Sequence, residues 1–402
     1  MAPQLVDWSL RTDSGLLRKE DNVNKSVVTQ QVKILLCINT AWNVANFRIG
    51  LIAALQHAGY DVVAVAPADG HEARLACRFV SLPIDNGGTR PLRDALLLFR
   101  VVRLLRAERP NVFLGYTVKP NVYGSIACHW LGIPVINNIA GLGAAFVRTG
   151  WLTRVVSGLY RLALHRSAVV FFQNEDDRAL FVAKRIVRAE QTVRLPGSGV
   201  DLLRFSVQPM PPFDALVPRP ITFLLIARLL WDKGVGEFVQ AARLLSGRGL
   251  NVRFQLLGFL EVKNPSAVAR DQVDAWCAEG LVEYLGTTDD VRPHIAAADC
   301  VVLPSYREGV SRTLLEAAAC GRPIVTTDTP GCRDVVEDGL TGLLCRVRDA
   351  DDLAAKIEHM VEMGARARGE MGRHGRRKVE REFDEQLVIK MYLSAIEEVL
   401  SA

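Results

Sequence analysis

The chain contains no Cys-x-x-Cys pair, and its eight cysteines (37, 77, 128, 277, 300, 320, 332, 345) are scattered along 402 residues. With no cleavable apolar signal at the N-terminus, this pattern points to reduced thiols in the cytosol and excludes a disulfide framework. None of the seven histidines lies near another at ligand spacing, so no metal cluster is expected. The longest stretch without Lys, Arg, Asp or Glu runs from Pro120 to Val147, but two prolines, four glycines and three asparagines interrupt it. A membrane span needs about 20 mostly apolar residues in a row, so none is read here. Gly141-Leu142-Gly143 lacks the third glycine of a dinucleotide fingerprint, which leaves a nicotinamide cofactor unsupported. The only Asp-x-Asp, Asp349-Ala350-Asp351, precedes a helical stretch and reads as an N-cap with an acidic first turn. No metal and no cofactor is therefore expected.

The length exceeds the roughly 250–300 residues at which one hydrophobic core stops growing, so two domains are expected. A formal charge of +5 is too modest to signal nucleic acid. Its distribution is more informative. Between Asn86 and Asn174 eleven basic residues face only Asp94 and Glu108, a local charge of +9 that leaves −4 for the remainder.

Residues 1–30 show no sustained period and read as a disordered extension. From Val32 short Val/Ile/Leu runs alternate with helix-length segments. Lys33–Ile38, Asp61–Ala66, Val112–Leu114, Pro134–Asn138, Ala168–Gln173 and Thr192–Leu195 read as strands. Five prolines between Phe205 and Pro220 mark a linker, after which Ile221–Ile226, Val252–Leu257, Val282–Leu285, Cys300–Pro304 and Pro323–Thr326 repeat the pattern. Buried strands between helices such as Gly234–Leu245 and Arg312–Cys320 predict α/β architecture with two doubly wound parallel sheets. The expected domains are residues 31–205, joined by a crossover helix at about 385–402, and residues 206–384. Ligands of such sheets bind beyond the C-terminal strand ends.

The segment from Pro304 to Glu316 leaves a strand, turns at Gly309 and enters a helix. The unpaired amides and positive dipole of a helix start suit a diphosphate, so Gly309, Val310, Ser311, Arg312, Thr313 and Leu314 are candidate donor-binding positions. Glu308 and Glu316 are placed to accept hydrogen bonds from sugar and ribose hydroxyls. The bland alternative makes Glu308 a cap and Glu316 one partner of a surface ion pair. Earlier, Arg228 and Lys233 follow the first strand of the second half and can neutralise a departing diphosphate. Alone, they would be ordinary solvated charges. Their specificity comes from order, each segment following a strand of the same sheet.

At these residues the chain resembles the family 4 retaining glycosyltransferases of the GT-B fold. Arg228, Lys233 and Gly234 match the family's Arg-x4-Lys-Gly loop, and Glu308 and Glu316 match its Glu-x7-Glu signature. Gly199-Val200-Asp201 with Phe205, and Gly321-Arg322-Pro323, match further marks. The resemblance covers residues 32–400. It implies two Rossmann-like domains facing across a cleft, with Arg228 and Lys233 on the donor diphosphate. Glu308 would meet the hexose, Glu316 the ribose, and backbone at Leu285 and Gly286 the base. Two features depart from the common pattern. The loop from Asn39 to Phe47 lacks a glycine pair, leaving Asn43 and Asn46 as substitutes, and no histidine precedes Pro120-Asn121. Lys119 and Asn121 there are candidates for acceptor or phosphate contact.

Segments Pro91–Arg109 and Val147–Arg166 mix apolar residues with arginines, as suits the surface of an anionic membrane. A core helix with wet arginines is the alternative. Bacterial family members that act on undecaprenyl-diphosphate-linked sugars, N-acetylgalactosaminyltransferases among them, are similar in Leu230–Phe238 and Leu303–Gly309. The resemblance thus implies a UDP-sugar donor, a lipid-linked saccharide acceptor, a place at the inner face of the cytoplasmic membrane, and no nucleic acid. A UDP-N-acetylhexosamine 2-epimerase and a non-catalytic sugar- or lipid-binding protein are the rival readings on this architecture.

Overall fold

Seven parallel strands form the first sheet and six the second, in a computed structural model that describes residues 31–85, 90–142, 151–212, 219–262 and 264–402. The expectation of disorder for residues 1–30 falls outside the described residues. In the first sheet β1 (Lys33–Cys37), β2 (Asp61–Ala66), β3 (Arg78–Ser81), β4 (Val112–Tyr116), β5 (Val135–Ile139), β6 (Val169–Phe172) and β7 (Thr192–Arg194) lie in the order β3-β2-β1-β4-β5-β6-β7. In the second, β8 (Ile221–Ile226), β9 (Val252–Leu257), β10 (Glu283–Tyr284), β11 (Cys300–Leu303), β12 (Ile324–Thr327) and β13 (Gly342–Cys345) lie in the order β10-β9-β8-β11-β12-β13. The near-continuous apolar runs of the central strands follow from burial on both faces, as in β1 and β8.

Two strands escape the sequence reading. β3 (Arg-Phe-Val-Ser) is a short edge strand with no fully buried position. β13 (Gly-Leu-Leu-Cys) is four residues long and begins on a glycine, so its apolar run is only the three residues Leu343–Cys345. Both are set by pairing with β2 and β12 rather than by local preference.

In each sheet the strand order reverses once, between β1 and β4 and between β8 and β11, and these reversals open crevices at the C-terminal strand ends. The chain passes between the sheets twice, and the two passages are bonded to each other. The Val200 amide donates to Phe383 O at 2.9 Å, and the Glu385 amide donates to Val200 O at 3.1 Å. Gly199 lies at φ +68°, and a Cβ there would stand 2.5 Å from Glu385 Cα, so only glycine fits this crossing. Beyond it the helix Glu385–Ser401 returns to the first sheet, where Val388, Ile389, Tyr392 and Ile396 join the core of Ile34, Leu36 and Leu114.

The Gly321-Arg322-Pro323 motif has a structural explanation. Arg322 is fully buried, and its guanidinium donates to the carbonyls of Ile295, Ala296, Gln208 and Pro209. It fastens the start of the proline-rich connection to the second domain.

Candidate functional site

The loops after β8 and β11 flank the reversal point of the second sheet and interlock. Gly234, at φ +73°, packs so closely beneath Pro304 that a Cβ would lie 2.1 Å from its carbonyl oxygen. The Tyr306 amide and the Ser305 hydroxyl both donate to Asp232 O, at 2.9 and 3.2 Å. This packing sets the Lys233 ammonium directly against the Glu308 carboxylate. Thr313 Oγ1 ties the following helix, Arg312–Ala319, to Ile226 O at the end of β8, 3.1 Å away.

At the start of that helix the amides are unequally available. Ser311 is the N-cap and its Oγ accepts from the Leu314 amide at 3.5 Å, while its own amide donates to Gly331 O at 3.0 Å. The Val310 amide donates to Gln173 Oε1 at 3.2 Å. The expectation that Val310–Leu314 presents a continuous row of free amides is therefore narrowed to Arg312 and Thr313, the first two helical residues, which have no intrahelical acceptor. One turn on, Glu316 Oε1 accepts from Arg312 Nε at 2.9 Å. Burial pushes the Glu316 carboxyl up, and Arg312 pulls it part of the way back. The Arg312 guanidinium also donates to Gly199 O at 2.7 Å, joining the signature helix to the interdomain crossing.

The first domain approaches this loop from the end of β6. Asn174 Nδ2 donates to Gly309 O at 2.7 Å, and a Cβ on Gly309 would lie 2.2 Å from Ala140 O. Arg307 pairs with Asp177, whose side chain is fully buried, and Arg333 reaches Asp176 at 3.2 Å. Burial raises the Asp177 carboxyl while Arg307 opposes the shift. The glutamate signature is thus gripped by both domains, and Gly309 is a glycine because two backbones meet there.

The remaining predicted residues are spread more widely. Arg228 is exposed, and its guanidinium has no partner among the described residues. Leu285 and Gly286 lie at the end of β10, where Gly286 O accepts from the Gly258 amide at 2.9 Å. Asn43 Nδ2 donates to Asn39 Oδ1 at 2.7 Å and Asn46 Nδ2 to Trp42 O at 2.9 Å, so both serve the local fold of the β1 loop. Asn121 departs from expectation. It is buried, donates to Asn138 O and accepts from Asn137, so its amide is used inside the first domain rather than offered to a phosphate. Lys119 is half-buried and pairs with Asp94 at 2.7 Å on the wall of a cavity of about 460 Å³ also lined by Arg93 and Arg100. Asp349 caps the helix Ala350–Glu362 by accepting from the Asp352 amide at 2.9 Å, as its spacing predicts.

Two family models cover most of this architecture: residues 48–197 match the glycosyl transferase 4-like domain, and residues 220–363 match the glycosyl transferases group 1 model. The chain is thus built of a glycosyl transferase 4-like domain and a group 1 glycosyl transferase domain. This glycosyltransferase is 26% identical over 381 residues to the N,N'-diacetylbacillosaminyl-diphospho-undecaprenol alpha-1,3-N-acetylgalactosaminyltransferase of Campylobacter jejuni, spanning 89% of this chain and 96% of that one. Sucrose-phosphate synthase of Thermosynechococcus elongatus superposes with a TM-score of 0.76 at 17% identity, over 92% of this chain and 100% of that one. Anabaena HepE in complex with UDP-glucose gives a TM-score of 0.74 at 18% identity, over 92% and 100%. The fold is GT-B, with two Rossmann-like domains.

Three residues packed against the candidate site went unread in the sequence: Gln173 and Asn174, which hold the signature loop, and Asp177, which holds Arg307. The first pair carries a usable signal. Two amides directly after an apolar strand stand where α/β sheets place ligand-facing groups.

Proposed function

We propose that this glycosyltransferase moves a hexose or N-acetylhexosamine from a UDP-sugar to a polyprenyl-diphosphate-linked saccharide, with retention of the anomeric configuration and without a metal ion, in surface polysaccharide or glycan assembly. The observation that carries this reading is the contact of Lys233 with Glu308 beside the open helix start at Arg312 and Thr313. A cation, a carboxylate and two amides there suit a sugar diphosphate: Lys233 and Arg228 meet the departing diphosphate, and Glu308 meets the sugar hydroxyls. Glu316 on the same helix serves the ribose. The acceptor hydroxyl enters on the face from which UDP leaves, and a β-phosphate oxygen takes its proton, so no side-chain nucleophile is required.

The acceptor reading is supported by the Campylobacter relative, whose name describes a diphospho-undecaprenol substrate. It is also supported by the helix Pro91–Glu108, where Leu92, Leu96 and Phe99 share one exposed face with Arg93, Arg100 and Arg103 beside it. Such a face suits the anionic inner surface of a membrane, to which the protein would bind peripherally. Among the described residues no helix is long and apolar enough to cross one.

The test is a panel of UDP- and GDP-sugars incubated with extracted lipid-linked acceptors, with product anomericity read by NMR. Transfer from a UDP-sugar to lipid with retention is expected. Epimer formation from UDP-sugar alone would replace the transferase reading with the epimerase one.

A further inference from the structure

Arg48 is a buried cation, with a relative exposure of 6%, without an ion pair among the described residues. Among the described residues the guanidinium makes one hydrogen bond, from a terminal nitrogen to the carbonyl of its own neighbour Phe47 at 2.8 Å, and Nε is enclosed with no partner. The guanidinium is held in place by stacking, with Cζ 4.4 Å from the centroid of the Tyr116 ring. The Glu385 carboxylate interacts with it electrostatically but lies against Gly50 and forms no ion pair with it among the described residues. Burying a guanidinium with most of its five donors unused is costly unless something satisfies them.

The location says what that could be. Arg48 follows the loop after β1, and Tyr116 ends β4, so the pair sits at the strand-order reversal of the first sheet, the crevice where open α/β sheets bind ligands. Arg48 also marks the break between the helices Ala41–Phe47 and Ile49–His57, so the positive end of the second helix points the same way. The second domain faces this spot. The adjacent Phe47 ring is 5.4 Å from Cζ of Arg312, which begins the signature helix, and the Trp42 ring meets Phe259 edge-on at 6.1 Å. The expected glycine pair is missing from this loop, and its two asparagine amides bond locally. A planar guanidinium is the remaining donor in that stretch suited to two phosphate oxygens at once.

We propose that Arg48 is an anion-binding residue that takes a diphosphate in the cleft, supplying from the first domain the charge that Arg228 and Lys233 supply from the second. This rests on the transferase reading. Donor and lipid-linked acceptor both carry a diphosphate, and binding measurements separate them.

The experiment measures affinity of the full chain and of Arg48→Met for UDP and for farnesyl diphosphate by calorimetry, with a thermal melt of each protein without ligand. Met keeps an apolar contact with Tyr116 and removes the charge. The variant is expected to melt at or above the parent temperature and to bind one of the two ligands at least about tenfold more weakly, as for a lost charge-assisted contact. Loss of UDP affinity assigns the donor diphosphate, and loss of farnesyl diphosphate affinity the acceptor's. A folded variant that binds both as the parent does overturns the proposal and leaves the transferase reading intact. A parent that binds neither ligand overturns both. Should Arg48→Met not fold, Arg48→Lys keeps the charge but loses the fork and the stack, and its affinity is expected to fall at least about threefold; unchanged affinity again overturns the proposal.

Discussion

The Lys233 ammonium rests on the Glu308 carboxylate, although 75 positions separate them in the chain. Two loops that leave neighbouring strands of one sheet bring them together. Each neutralises the other. A nucleotide-sugar would divide the pair, drawing Lys233 to phosphate and Glu308 to hydroxyls. Lys233→Ala and Glu316→Ala are each expected to lower transfer at least about tenfold, since charged hydrogen bonds are worth roughly 1.5–3 kcal/mol. Initial rates with lipid-linked acceptor, together with circular dichroism to confirm folding, check this. Parent-like turnover in both variants would remove the site assignment.

Gly309 is one place where the domains touch. A methyl group there would stand 2.2 Å from Ala140 O and 2.6 Å from Gln173 Oε1, while neither hydrophobic core is disturbed. Gly309→Ala should therefore lower kcat by about a hundredfold, the cost of a shift of about 1 Å in a reacting group, and leave the melting temperature close to that of the parent. Small-angle scattering should show a more open particle. A variant that retains full turnover would mean that the two domains need not meet at this glycine.

Glu385 supplies a pH test. Burial raises its carboxyl above the usual 4.5, with Arg312 and Arg48 opposing the shift in part. The folded state therefore holds this proton more tightly than the unfolded chain does. The contribution to stability is fully present below pH 4.5 and is lost as pH rises through the folded value. Glu385→Gln, which stays neutral, should melt above the parent at pH 8, and the difference should shrink as pH falls toward 4.5. A gap that is constant with pH would contradict this.

The thiols divide by burial. Cys77 and Cys277 are half-buried, and the other six are buried. Burial pushes the thiols of Cys37 and Cys345 up to about 12, and those of Cys320 and Cys332 to about 11. Titration with a disulfide reagent at pH 8 should modify two thiols in the native protein and the remainder only in denaturant. Rapid reaction of a third would show that one of these cores opens.

The sequence reveals the central strands and both glutamates of the signature because these are local features: an apolar run between helices, and a fixed spacing across a loop and the helix it enters. It does not reveal β3 or β13, whose conformation comes from a neighbouring strand. The same divide runs through the site. Arg228, Lys233 and Glu308 precede helices, and Glu316 sits on one, in segments that announce themselves by strand, glycine and helix. Asn121 has the polarity of a ligand contact, but Asn137 and Asn138 claim it in the core, a fact visible only once β5 is in place. Gln173 and Asn174 matter because of Gly309 and Val310, on the other domain.

The central claim is that the strand tips of the second sheet hold the leaving diphosphate. A crystal structure of the protein with UDP tests it most directly. The β-phosphate should lie within hydrogen-bond reach of Lys233 and Arg228 and of the Arg312 and Thr313 amides, with Glu316 on the ribose. UDP bound instead in the cavity beside Lys119, with Lys233 still resting on Glu308, would contradict it.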